Sequence, residues 1–103
     1  TEWTFDLRQH FADKFEMALL TLAAEKLDAG APSVCLELAQ RVILLNAWQE
    51  QAVALGMQAA LAMEDRMTAL RLYQRLEKRL MQDLGIAPQA QLEQLYAKAK
   101  QRS

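Results

Sequence analysis

Three glycines and two prolines are the only helix breakers in 103 residues, and four of these five, Gly30, Pro32, Gly85 and Pro88, fall between segments whose apolar residues recur every three or four positions. No segment shows the two-residue alternation or the β-branched richness of a strand. A chain punctuated this sparsely is confined to helices joined by short turns, and the spacing predicts five of them. The first, about 5–28, places Phe11, Phe15, Ala18, Leu19 and Leu22 on one apolar stripe. Gly30 and Pro32 close it and open the second, about 33–45. There Val34, Cys35, Leu36, Leu38, Ala39, Val42, Ile43, Leu44 and Leu45 make the C-terminal half apolar almost all round, so this helix is expected to lie buried between neighbours.

Asn46 is the expected N-cap of a third helix, about 47–63, with Gln49 reaching back from three residues on. Asp65 is the expected cap of a fourth, about 66–83. Glu64 adds negative charge at the positive end of its dipole, and Lys78 and Arg79 stand near the other end. Gly85 suits the left-handed position just past that helix, and Pro88 suits the first turn of a fifth, from Gln89 to about Gln101. Gly56, inside the third helix, lowers helix propensity by roughly 1 kcal/mol relative to alanine and marks a close helix approach.

Shifted on itself by 34 residues, the sequence aligns Cys35–Val42 with Ala69–Leu76, and Leu36, Leu38, Gln40 and Arg41 recur as Leu70, Leu72, Gln74 and Arg75. Thirty-four is the period of a tetratricopeptide repeat, and its small-x-x-x-aromatic pattern stands at Ala69 and Tyr73. A small residue lets two helices approach, and a bulky one a turn later fills the groove beside it. The repeat is degenerate: Ala47 and Met81 stand where it closes with proline, and Val53, Gly56, Met57 and Ala60 stand in its Trp-x-x-Leu-Gly-x-x-Tyr half. The expected fold is therefore all-α, a tetratricopeptide-like right-handed stack of about five antiparallel helices. Two degenerate helix pairs would be closed by a capping helix whose Leu92, Leu95, Tyr96 and Ala99 face inward.

The order of motifs carries a family likeness. Leu38-Ala39-Gln40-Arg41, Glu50 opening a helix, Ala69-Leu70-Arg71-Leu72-Tyr73, then Leu84-Gly85-Ile86-Ala87-Pro88 followed by Leu92-x-x-Leu95-Tyr96 resemble the bacterial transcriptional activation domain. This is the tetratricopeptide-like module found beside a winged-helix DNA-binding domain in activators of antibiotic-regulator type. Asn46-Ala47 departs from the Asp-Pro common there. The likeness runs from Trp3 to about Lys100 and implies a module that shapes a dimeric arrangement on the promoter and engages transcription machinery. It implies no catalytic residue.

The bulk properties are compatible with that reading. Twelve Lys and Arg against 13 Asp and Glu give a formal charge of −1, without the basic field of an autonomous nucleic-acid-binding domain, so this domain alone is not expected to bind DNA. Cys35 is the only cysteine, expected as a buried structural thiol. No apolar run approaches the roughly 20 residues of a membrane span, no signal peptide is visible, and a cytoplasmic, soluble domain is expected. The N-terminal Thr1 leads us to expect a single domain, 1–103, excised from a larger regulator.

No residue type stands in a catalytic, cofactor or metal pattern. His10 has no ligand cluster around it, Glu64 and Asp65 read as helix-end acids, and no nucleophile constellation or phosphate-cradling loop is present, so the chain is not expected to be an enzyme. The candidate contact residues are Arg71, Arg75, Lys78 and Arg79, which line one face of the fourth helix opposite Tyr73, Leu76 and Leu80. They read either as a dock for an acidic partner or phosphate backbone, or as a solvated face lightly paired with Glu77 and Asp83. Trp48 is expected to wedge between helix pairs and Trp3 to fasten the N-terminal arm. Met57, Met63 and Met67 fill core gaps or form an adaptable surface.

The resemblance implies protein partners: RNA polymerase, other domains of the same regulator, or a second copy. The alternatives are a stand-alone peptide-binding scaffold, or a self-association module working through the third helix.

Overall fold

The computed structural model describes the backbone of residues 2–101 and the side chains of residues 6–101. Five helices follow one another: α1 (Glu2–Asp28), α2 (Pro32–Leu45), α3 (Glu50–Ala62), α4 (Arg66–Leu84) and α5 (Ala90–Lys100). The all-α stack expected from the sequence is the observed architecture. Each helix packs on its neighbour in sequence up to α4, and α5 lies against both α4 and α3. The radius of gyration is 14.5 Å, above the roughly 13 Å of a compact domain this long, as suits a stack with a long first helix.

The core falls into two apolar clusters that share α3. One joins α1, α2 and α3 through Leu20, Ala23, Cys35, Leu38, Ala39, Val42, Ala52, Leu55 and Ala59. The other joins α3, α4 and α5 through residues including Val53, Met57, Leu72, Tyr73, Leu76, Leu80 and Leu92. Helix α3 is therefore buried on nearly every side, with Ala52–Met57 continuously covered. Its alanines and Gly56 make this possible, because small side chains let two layers approach at once. A Cβ added at Gly56 would lie 3.0 Å from Leu72 Cδ1 of α4 and 3.6 Å from both Ala39 Cβ and Leu36 Cδ1 of α2.

Two expectations of burial are corrected here. The helix covered on all sides is α3, not α2, whose Leu44 and Leu45 are 87% and 59% exposed. Every described residue of α1 from Asp6 to Phe15 is exposed, Phe11 and Phe15 among them, since α1 has 27 residues against the 14 of α2; beyond that half the core takes Leu20 and Ala23, with Leu19, Ala24 and Leu27 packed beside them, and leaves Ala18 and Leu22 to solvent. Both faces of α1 are apolar, so periodicity alone could not choose between them.

The 34-residue shift carries α2 onto α4 position by position, since Pro32 and Arg66 open the two helices. Cys35 and Ala69, Leu38 and Leu72, Ala39 and Tyr73, and Val42 and Leu76 are all buried, whereas Gln40 and Gln74, and Arg41 and Arg75, are all exposed. Equivalent residues occupy equivalent environments, as stacked repeats require. Tyr73 then stacks on Tyr96 of α5, with ring centroids 4.1 Å apart and planes at 13°. Leu92 and Ala99 of α5 are buried in the same cluster, so α5 covers the apolar end of the second helix pair.

Helix ends follow local chemistry. Asp65 caps α4, accepting from the Thr68 amide at 3.2 Å and the Thr68 hydroxyl at 2.6 Å. Those bonds hold its carboxyl below the usual aspartate range. Gly85 closes α4 at φ 67°. Helix α4 reaches Leu84, so Lys78 and Arg79 lie short of its last turn, which carries no base, and the C-terminus is finished by the glycine rather than by charge.

Asn46 organises the α2–α3 turn, accepting from the Trp48 amide at 3.1 Å, but does not cap α3. Gln49 does, accepting from Gln51 N–H at 3.2 Å, so α3 begins three residues later than expected. Pro88 precedes α5 instead of opening it and is buried; the Gln89 amide just beyond it donates to Glu50 Oε1 at 2.8 Å, tying the turn to the start of α3.

A candidate protein-contact surface

Arg71, Arg75, Lys78 and Arg79 are all exposed, and the opposite face of α4, with Ala69, Leu72, Tyr73, Leu76 and Leu80, is buried. The structure divides the four cations into two settings. Arg71 stands on the N-terminal half of α4, where its charge helps to lower the Asp65 pKa. Arg75, Lys78 and Arg79 line a groove of about 540 Å³ that runs between α2 and α4.

The groove exists because both helices dock on α3 but not on each other: no Cα of α2 comes within 8 Å of one of α4. Val53 of α3, Leu72 and Leu76 of α4, and Ile43 of α2 supply its apolar lining, and Leu44 stands on its α2 lip. Among the described residues no carboxylate lines it. Leu44, expected to lie buried, is instead an exposed apolar residue on the groove's edge.

Arg79 is anchored at one end of this groove. Its Nε donates to Asp83 Oδ2 at 2.8 Å, and the same oxygen accepts from Trp48 Nε1 at 2.9 Å. The Trp48 bond and the Arg79 charge keep the Asp83 carboxyl below its ordinary range. Trp48 is therefore a half-exposed strut between the α2–α3 turn and α4, not the wedge expected of it, because its indole N–H finds a partner at the surface. The Trp3 side chain lies outside the described residues. Arg75, Lys78 and Arg71 form no ion pair among the described residues, where the ion pairs are Arg79–Asp83 and Arg41–Glu37.

A second exposed surface lies on α1, where Leu7, Phe11, Phe15 and Leu22 are 39–63% exposed along one side. The methionine group splits: Met57 is fully buried, whereas Met63 and Met67 reach solvent. Helix α3, on which a self-association alternative would rest, is buried from Ala52 to Met57, with Gln51 and Ala62 exposed at its two ends. A polar depression lined by Gln49, Gln51, Gln58, Gln89 and Gln91 lies apart from the basic row.

Cys35 is fully buried, its Sγ 3.7 Å from the Leu55 carbonyl, and burial pushes the thiol pKa up, which suppresses the nucleophilic thiolate. His10 is exposed beside Phe11. Among the described residues no group of His, Cys, Asp and Glu is arranged to hold a metal ion, and no helix is long and apolar enough to cross a membrane.

A stack of degenerate helix pairs with a closing helix and exposed apolar and basic surfaces defines a helical-repeat module. The family model for the bacterial transcriptional activator domain matches residues 1–100, and the chain belongs to that family. No curated protein and no solved structure matches it.

Proposed function

We propose that this transcriptional activator domain works by protein contacts within or around a DNA-bound regulator, without catalysis and without binding DNA itself. The observation that carries this reading is the exposed face of α1, where Phe11 and Phe15 are 63% and 57% exposed beside Leu7 and Leu22. A contiguous apolar strip of this kind is what protein partners cover. The formal charge of −1 provides no general attraction for a phosphate backbone.

The partner classes are transcription machinery such as RNA polymerase, other domains of the same regulator, or a second copy that sets a dimeric arrangement. The direct experiment is a mobility-shift titration of the 103-residue chain against promoter-length duplex DNA at low salt. No sequence-specific complex is expected; a discrete retarded band that prefers one promoter sequence sinks the reading.

A further inference from the structure

We propose that the groove between α2 and α4 receives an acidic amphipathic helix from a partner protein. This rests on the protein-contact reading above and names the surface and the chemistry of what it takes. Three observations converge. The groove, at about 540 Å³, falls within the roughly 300–1,000 Å³ of ordinary binding pockets. Its floor is apolar at Ile43, Val53, Leu72 and Leu76, with Gln40 and Gln82 at its edges, and Leu44 on its lip, at 87% exposure, is covered by none of the described residues. Three cations stand along its α4 side and among the described residues no carboxylate lines it, although acids outnumber bases 13 to 12 in the whole chain.

The combination selects the occupant. A phosphate backbone would match Arg75 and Lys78 but would set charged, hydrated groups against Leu44, Ile43 and Leu76, which gain only from apolar contact. A peptide that binds by strand addition needs an exposed strand edge, and walls made of α-helices, whose backbone groups already pair internally, provide none. A helix needs no backbone partner from the groove. It can place apolar residues at i, i+3, i+4 and i+7 on the floor while carboxylates on one flank meet α4. Arg75 and Lys78 are the cations available, because Arg79 is already held by Asp83.

The test is fluorescence anisotropy of the 103-residue chain with a labelled helical peptide of about 16 residues carrying leucines on one face and glutamates on the flank. Saturable binding in the range of tens of micromolar is expected, weakened at least about tenfold by 0.5 M salt. Leu44→Ser and the double variant Arg75→Glu/Lys78→Glu, all at exposed positions, each reduce affinity at least about tenfold, whereas Arg71→Glu, off the groove, changes it less than about twofold.

Absence of binding overturns the assignment. So does equal binding by the peptide with lysine in place of glutamate, by the peptide with serine in place of leucine, or by duplex DNA. Circular dichroism melts confirm that the variants are folded, and the peptide exchanges test the assignment on the unaltered chain. A blank peptide titration with a blank mobility shift removes the groove assignment alone; sequence-specific DNA retardation removes the protein-contact reading with it.

Discussion

Tyr73 of α4 and Tyr96 of α5 stack with ring centroids 4.1 Å apart, and through this pair the second helix pair is joined to the helix that closes the stack. Tyr73 is 4% exposed and Tyr96 half-buried, with Lys100 Nζ 4.7 Å from the Tyr96 ring centroid. A double-mutant cycle with Tyr73→Leu and Tyr96→Leu is expected to show a coupling of about 1 kcal/mol, beyond what each loses alone. Urea denaturation of the four proteins measures it. Additive losses would mean that the rings merely fill space.

Arg66 fixes the other end of α5. Its Nε donates to the Ala99 carbonyl at 2.7 Å and its Nη2 to the Lys100 carbonyl at 3.0 Å, so the first residue of α4 caps the last turn of α5. Arg66→Ala should cost about 1 kcal/mol and speed hydrogen exchange of the last α5 amides about fivefold, with α1 and α2 unaffected. Uniform acceleration across the chain would show that the cap does not act locally.

Gly56 separates helix propensity from packing. Alanine there gains up to about 1 kcal/mol of propensity but sets its Cβ 3.0 Å from Leu72 Cδ1, and we expect a net change within about 1 kcal/mol. Leucine must also displace the α2 side chains 3.6 Å away, and Gly56→Leu should lose about 2–3 kcal/mol. Thermal melts check both; a Gly56→Leu protein as stable as the parent would deny the close approach.

Asp83 ties together Trp48 and Arg79, and its carboxyl titrates below the ordinary aspartate value of about 3.9. A carboxyl whose folded pKa is depressed contributes stability above its unfolded pKa, and that contribution disappears as pH falls through the folded pKa. The strut should therefore be intact at neutral pH and lost only as pH falls through that depressed value. The Trp48 indole N–H resonance, followed by NMR against pH, should move with a midpoint below about 3.9. A midpoint above that value contradicts the bonding around Asp83.

Much of this fold was legible in the residues. Gly85 in its left-handed turn and Asp65 at its cap follow from single-residue chemistry, and the 34-residue shift anticipated the matching environments of Leu38 with Leu72 and Gln40 with Gln74. What periodicity could not decide was which apolar face meets a neighbour. Helix α1 carries two such faces, and the exposed one holds the larger residues, Phe11 and Phe15, while the core takes Ala23 and Leu20. Phe11 and Phe15 lie in the half of α1 whose described residues, Ala12 included, are all exposed, so their exposure follows from the length of α1 relative to α2, which periodicity does not record.

The candidate surface was half legible for a related reason. The charges of Arg71, Arg75, Lys78 and Arg79 are visible as a helical row, but a groove depends on two helices keeping their backbones apart. The 34-residue shift equates Arg41 with Arg75 and carries no record of the space between α2 and α4.

The central claim, action through protein contact, is tested most directly by separating promoter occupancy from transcription. In an activator carrying this domain beside a DNA-binding part, Leu44→Ser combined with Lys78→Glu should leave footprinted occupancy within about twofold while transcription from that promoter falls about tenfold, the equivalent of ~1.4 kcal/mol of lost contact. Transcription and occupancy both unchanged when Phe11→Ser and Phe15→Ser, on the exposed face of α1, are added to these substitutions would contradict it.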